Sequence, residues 1–150
     1  MSTDGIEEAD FILGDQCLGA LMGGRVWEDA VPQGTVLKVE GDEVLPYAVV
    51  HFGTPITERP GRGSGRTLAA SENEQPHIMP ITVMIYATRS SSLRRAFKSV
   101  WGRLIGKKPS AGSGEIRSLG GTRITEKDSS GAIVRLVRVI YAEVPIGLNG

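Results

Sequence analysis

Ile78-Met79-Pro80-Ile81-Thr82-Val83-Met84-Ile85-Tyr86-Ala87-Thr88 alternates with a period of two. Met79, Ile81, Val83, Ile85 and Ala87 make one wholly apolar face, and Ile78, Pro80, Thr82, Met84, Tyr86 and Thr88 make a mixed one, which is the pattern of a strand with one face in a core. Pro80 has no N–H to give to a ladder, so it predicts an edge position near the start of this strand. Directly after it the period changes. Ser90-Ser91-Ser92 offers helix caps, and Leu93, Phe97, Val100 and Leu104 then fall in a narrow arc flanked by Ala96 and Trp101, with Arg95, Lys98, Ser99 and Gly102 opposite. A strand of this length followed by an amphipathic helix ending at Gly106 sets the fold class: a sheet with helices covering one of its faces.

Working outward, Leu45 to Phe52 reads as a second strand ending at Gly53, with Val36 to Glu40 a weaker candidate before the turn Gly41-Asp42. Beyond the helix, Lys107 to Gly114 reads as a linker. Glu115 to Lys127 is polar strand material interrupted at Gly120-Gly121, and Asp128-Ser129-Ser130-Gly131 is a turn. The last strand, Ala132 to Val144, is apolar on both faces apart from Arg135, Arg138 and Glu143, as a central strand would be. At the other end, Asp4-Gly5-Ile6-Glu7 has capping-box spacing and predicts a helix from Asp4 to about Met22 stopped by Gly23-Gly24. On it, Ile6, Ala9, Leu13, Cys17, Ala20 and Leu21 form a stripe that suits a sheet, while Phe11, Leu18 and Met22 form a second stripe turned away from it. The expectation is an α+β fold: an antiparallel β-sheet of about four to five strands with two α-helices on one face, plus a long loop between the second and third strands. That loop, Thr54 to Pro76, exceeds the usual limit of about 12 to 15 structureless residues, which marks it as functional or disordered.

The chain has 150 residues, close to the size of one domain, and at that length about two-thirds of the unfolded surface can be buried. Its only cysteine, Cys17, excludes an internal disulfide and a cysteine-rich zinc site. The acidic N-terminus is unlike a secretory leader, and no apolar run approaches the ~20 residues of a membrane span. Charge balances at 17 basic and 17 acidic residues but is unevenly placed. Asp4, Glu7, Glu8, Asp10, Asp15, Glu28 and Asp29 face only Arg25 in the first thirty positions. Between Gln75 and Gly114 there is no acid, against Arg89, Arg94, Arg95, Lys98, Arg103, Lys107 and Lys108. Separated charge of this kind suits complementary surfaces on copies of the chain, or an anionic partner, as well as two solvated helix faces.

Little here points to chemistry. His51 and His77 have no carboxylate or nucleophile at a spacing that would pair with them. Gly61-Arg62-Gly63-Ser64-Gly65-Arg66 lacks the lysine and hydroxyl of a phosphate-binding loop, and Gly106-Lys107-Lys108-Pro109 has proline where the hydroxyl belongs. For nucleic acid, the arginines among glycines in the long loop and the basic second helix could track phosphates electrostatically, though at 5% aromatic content stacking platforms are sparse. The residues predict no enzyme and no cofactor or metal.

One stretch carries a resemblance. Arg25-Val26-Trp27-Glu28-Asp29-Ala30-Val31-Pro32-Gln33-Gly34, followed by Pro46-Tyr47 and a β-branched strand, resembles the tail terminator (tail-completion) proteins of long-tailed bacteriophages. The motif residues are Arg25, Val26, Trp27, Pro32, Gly34, Pro46 and Tyr47. The element order extends the likeness over most of the chain, with two departures: an insert at Thr35 to Glu43 and the long Thr54 to Pro76 loop. The resemblance implies a single domain over 1–150 and a structural virion protein. It would form a homo-oligomeric ring, usually a hexamer, in the tail or neck, assembled in the host bacterial cytoplasm. Its partners would be the major tail tube protein and a head-tail connector or stopper protein, with DNA passing through the ring without sequence-specific binding and no membrane. Another neck or tail-tube component, or a nucleic-acid-binding module, remains the alternative.

On this reading Phe11, Leu18 and Met22 would be an intersubunit surface, so that Leu18→Asp would leave a folded monomer. Glu7 and Glu8 would attract Arg95 and Lys98 of a neighbour. Arg59, Arg62 and Arg66 of the long loop would become ordered against an assembly partner.

Overall fold

A computed structural model describes residues 4–57, 77–121, 126–128 and 135–147. Among these described residues nine strands and two helices follow one another as α1 (Ile6–Leu13), a 3-10 segment (Leu18–Gly24), β1 (Val26–Glu28), β2 (Val39–Glu40), β3 (Glu43–Val44), β4 (Tyr47–Phe52), β5 (Ile56–Thr57), β6 (His77–Ala87), α2 (Ser90–Leu104), β7 (Arg117–Gly121), β8 (Glu126–Asp128) and β9 (Arg135–Ile146). The architecture is α+β. Seven strands make one sheet with the path β1-β4-β6-β9-β7, β5 joining beside β6 and β8 beside β9, while β2 and β3 form a separate hairpin.

At the centre β6 and β9 pair antiparallel from His77 opposite Ile146 to Ala87 opposite Leu136. Met79, Ile81, Val83, Ile85 and Ala87 are buried on β6, as are Ile140, Ala142, Val144 and Ile146 on β9 and Ala48 and Val50 on β4. The facing surface of α2 supplies Leu93, Ala96, Val100 and Leu104. Arg138 belongs to the same face by its pairing with Ile85, and its guanidinium lies 4.0 Å from the centre of the Phe97 ring. A cation over an aromatic face keeps an attractive electrostatic partner where water is scarce. Gly106, at φ 85°, closes α2 in the left-handed region and donates its N–H to Ile116 O at 2.8 Å.

Four sequence expectations need correction. The first is the single helix from Asp4 to Met22. The chain leaves helical geometry at Gly14 (ψ 175°), and Gly19 donates to Gly14 O so closely that a Cβ there would collide with Leu13 O. This break re-aims everything after it. Leu18 becomes fully buried in the main core, with Phe11 and Met22 half-buried against that core, so the second stripe is not an exposed surface. Within α1 the buried positions are Glu8 and Ile12, whereas Ile6 is 62% exposed. Nor is Asp4 the cap: the N-cap is Gly5 at φ 77°, with no side-chain cap, and Asp4, one residue earlier, accepts the Ile6 N–H at 3.0 Å through Oδ1.

The second is the edge position inferred from Pro80. β6 is flanked on both sides, but its neighbour opposite Pro80 is interrupted. β4 ends with Phe52 opposite Ile81, β5 begins with Ile56 opposite Ile78, and between them Gly53 donates its N–H to Pro80 O at 2.8 Å. Because a strand residue points its N and its C=O to the same side, the missing donor of Pro80 faces this gap rather than β9.

Third, the sheet is mixed, because β1 runs parallel to β4, with Val26 opposite Ala48 and Glu28 opposite Val50. Parallel neighbours need a long return path. Here it is supplied by 29–46, which includes the β2-β3 hairpin made by most of the Thr35 to Glu43 insert. Finally, Lys107 to Gly114 is no loose linker. Gly114 N–H bonds Pro145 O, Ile116 N–H bonds Lys107 O, and Pro109, Gly112 and Ser113 are buried.

The burial of Leu18 gives a direct test. Leu18→Ala should cost about 2 to 5 kcal/mol in urea unfolding. Leu18→Asp, which places a charge among apolar side chains, should not yield a folded monomer, and a cooperatively unfolding Leu18→Asp monomer would show that the segment does not pack as described.

Candidate assembly surface

The face of the sheet away from the helices carries a second apolar cluster of Val44, Tyr47 and Val49, joined by Trp27, Val31, Leu37, Met84 and Tyr86. Its centre is aromatic. Tyr47 stacks on Tyr86 with ring centres 4.8 Å apart, Trp27 meets Tyr47 edge-on at 5.9 Å, and Arg135 donates from Nη1 to the Tyr47 hydroxyl at 2.8 Å. The motif residues converge on this corner. Arg25 Nε donates to Pro46 O at 3.0 Å, and Arg25 O accepts the Ala48 N–H at 3.0 Å, which pins β1 to the entrance of β4. Burial draws the Arg25 guanidinium below its ordinary pKa. Pro32 O accepts the Thr35 N–H, and Gly34, at φ 87°, turns the chain back toward the sheet.

On the helix side lies an open groove of about 350 Å³ between the 3-10 segment, the β3-β4 junction and α2. Leu21, Met22, Leu45, Pro46 and Ala96 make its apolar lining, and Arg25, Arg95, Glu43, Ser92 and Ser99 its polar groups. Glu43 is held by the Ser92 hydroxyl and by Arg89 Nε at 3.5 Å, while Arg89 also reaches Asp42 at 3.6 Å. Sequence reading missed this groove, which requires the break after α1.

The expected interface residues are placed unevenly. Glu7, Arg95 and Lys98 are exposed, but Glu8 is buried, and its carboxylate accepts the Ser110 hydroxyl at 3.3 Å, tying α1 to the 107–114 turn. It is not available to attract a neighbour. None of Glu7, Asp10, Arg94, Arg95 or Lys98 forms an ion pair within the described residues. The solvent face of α1 therefore stays acidic and that of α2 basic. Arg59, Arg62 and Arg66 lie outside the described residues.

Groups with chemical potential are held structurally. His51 Nδ1 lies 3.4 Å from Asp29 at the surface. Cys17 is buried with its Sγ 3.4 Å from Arg103 O, and burial pushes its thiol above the ordinary value. Among the described residues no cluster of three or more His, Cys, Asp or Glu side chains has the geometry to hold a metal ion, and no helix is long and apolar enough to cross a membrane.

No protein-family model matches the chain, and no curated protein matches it by sequence. Among solved structures, it is similar to a chain of the virion of a native gene transfer agent (GTA) particle, with a TM-score of 0.56 and 18% identity over 95% of both chains. At that identity the likeness is one of fold.

Arg25→Ala should lower the urea-unfolding free energy by about 1 to 2 kcal/mol, because Pro46 O loses its donor. Cys17 should resist iodoacetamide at neutral pH while the protein is folded and react on unfolding, since a raised pKa leaves little thiolate. Labelling of the native protein at the rate of a free thiol would contradict this packing.

Proposed function

We propose that this chain is a structural protein of a phage-type virion, a tail terminator that closes as a ring on the end of the tail tube and offers the surface to which the head joins. The likeness to a GTA virion chain over 95% of both chains carries the reading, because it spans the whole domain rather than a common fragment. Two further observations support it. The Arg25 to Tyr47 stretch resembles terminator proteins in sequence, and its residues build one corner of the sheet through backbone-directed and ring contacts rather than a reactive site. The described surface also carries acidic and basic helix faces without intramolecular partners, as suits a subunit that meets copies of itself. The remaining contacts would be with the tube protein below and a connector or stopper protein above, while DNA crosses the lumen without being read.

Native mass measurement tests the ring: a single closed species, with no growth into long tubes, is expected. Long polymers would instead make the chain a tube component, and steeply salt-dependent retention of DNA would make it a nucleic-acid module. Particles lacking the chain should give heads separated from tails of abnormal length.

Charge reversal at Arg94 and Lys98, which lie one turn apart on α2 outside the groove, to glutamate should weaken assembly, most at low ionic strength. Reversal of Glu7 and Asp10 to lysine in the same chain should restore part of it. Each exposed pair contributes at most about 1 kcal/mol, and a closed ring repeats the contact at every junction. Assembly unaffected by the first pair of substitutions at low salt would show that these faces do not meet.

A further inference from the structure

The 29–46 crossover holds on to its own domain with Val31, Leu37 and Val44, which pack in the second cluster. Leu45 N–H donates to Lys38 O at 2.9 Å, and Val44 N–H to the Thr88 hydroxyl at 2.9 Å. Two large apolar side chains of the same segment are left over. Val36 is 91% exposed, more than any other exposed large apolar residue of the described chain, and Val39 is 46% exposed. Val39 lies on the hairpin and Val36 on the irregular segment leading into it, and a β-branched residue open to water gains nothing for the monomer. Its burial needs a partner.

The groove between the 3-10 segment and α2 has the complementary character. It is apolar along Leu21, Met22, Leu45, Pro46 and Ala96, its volume lies near the lower end of the ~300 to 1,000 Å³ typical of binding clefts, and Arg25 and Arg95 outweigh Glu43 at its rim. Beside the exposed valines Glu40 is exposed, while Asp42 is already paired with Arg89 of its own chain at 3.6 Å. Neither Val36 nor Val39 lines the groove of its own chain. We infer that residues Val36 to Asp42 of one copy, the approach to the β2-β3 hairpin and its turn, seat in the groove of the next, with the valines against the apolar lining and Glu40 toward the guanidinium groups of Arg25 and Arg95. Knob and socket are then different residues of one chain, and the contact is heterologous when each copy's knob enters the socket of the next copy around. Contacts of that kind propagate head to tail and close into a ring when the rotation permits. The inference rests on the ring reading and specifies which surfaces make the ring.

A double-mutant cycle read by native mass against concentration tests it. Val36→Lys removes the apolar knob and repels the basic rim, and Ser99→Trp fills the socket from an exposed helix position. Both sites are solvent-exposed, so each variant should unfold at the wild-type urea midpoint. Each alone should raise the concentration needed for assembly about tenfold or more, and the double variant should be no worse than the weaker single one, because either change already keeps the hairpin out of the socket. Unchanged assembly in either single variant, or losses that add in the double, would overturn the inference while leaving the ring intact. A wild-type chain that stays monomeric at all concentrations would overturn the ring reading, and the inference with it.

Discussion

The antiparallel union of β6 and β9 is the constraint on which the rest depends. Each strand is long, and each presents its apolar residues in register with the other, so one pairing creates a broad hydrophobic floor before any helix is placed. A one-residue slip would turn all of those side chains to the opposite face, so the pairing specifies itself strongly. The helix α2 covers this floor because its apolar arc matches it and because the chain leaves β6 directly into the helix. What remains is then positioned by what the floor leaves uncovered. The break after α1 turns Cys17 and Leu18 inward beside Ile12 of the helix, and β4 extends the floor with Ala48 and Val50.

The opposite face is built on a different principle. Its cluster is small and aromatic, and it is assembled by a crossover rather than by a helix. Because β1 is parallel to β4, the chain must travel the length of the strand to return, and the return path becomes the cover. Arg25 and Tyr47 tie the two ends of that path together, one through a backbone carbonyl and the other through ring contacts and the Arg135 guanidinium. The crossover thereby fixes where the hairpin projects.

The elements that could be read from sequence are those whose period repeats. His77–Ala87 and Ser90–Leu104 each hold one periodicity long enough to reveal both their type and their buried face, whereas the C-terminal strand, apolar on both faces, reveals its type and its interior place in the sheet but not which face meets the helices. Strand direction leaves no periodic trace, so the parallel placement of Val26–Glu28 was invisible. The N-terminal segment misled because a helical stripe can be drawn through Gly14 and Gly19 on paper, while the backbone uses those glycines for a close approach that no helix allows. That error moved Leu18 to the wrong environment and hid the groove, which exists only because the chain bends there. Glu8 misled for another reason: a carboxylate is normally solvated, and its partner Ser110 is remote in sequence.

Pro80 and Gly53 have a further consequence. A Cβ at Gly53 would stand about 3.0 Å from the proline ring, and the gap between β4 and β5 lies opposite the one residue of β6 that has no hydrogen to donate. If β6 slid along its neighbours in either direction, the proline would come to face a carbonyl that needs a donor, while an N–H-bearing residue would face the gap. The pair therefore works as an index notch: it penalises every misaligned pairing of the sheet and leaves the correct one unopposed, so alignment is enforced by a group that makes fewer bonds rather than more.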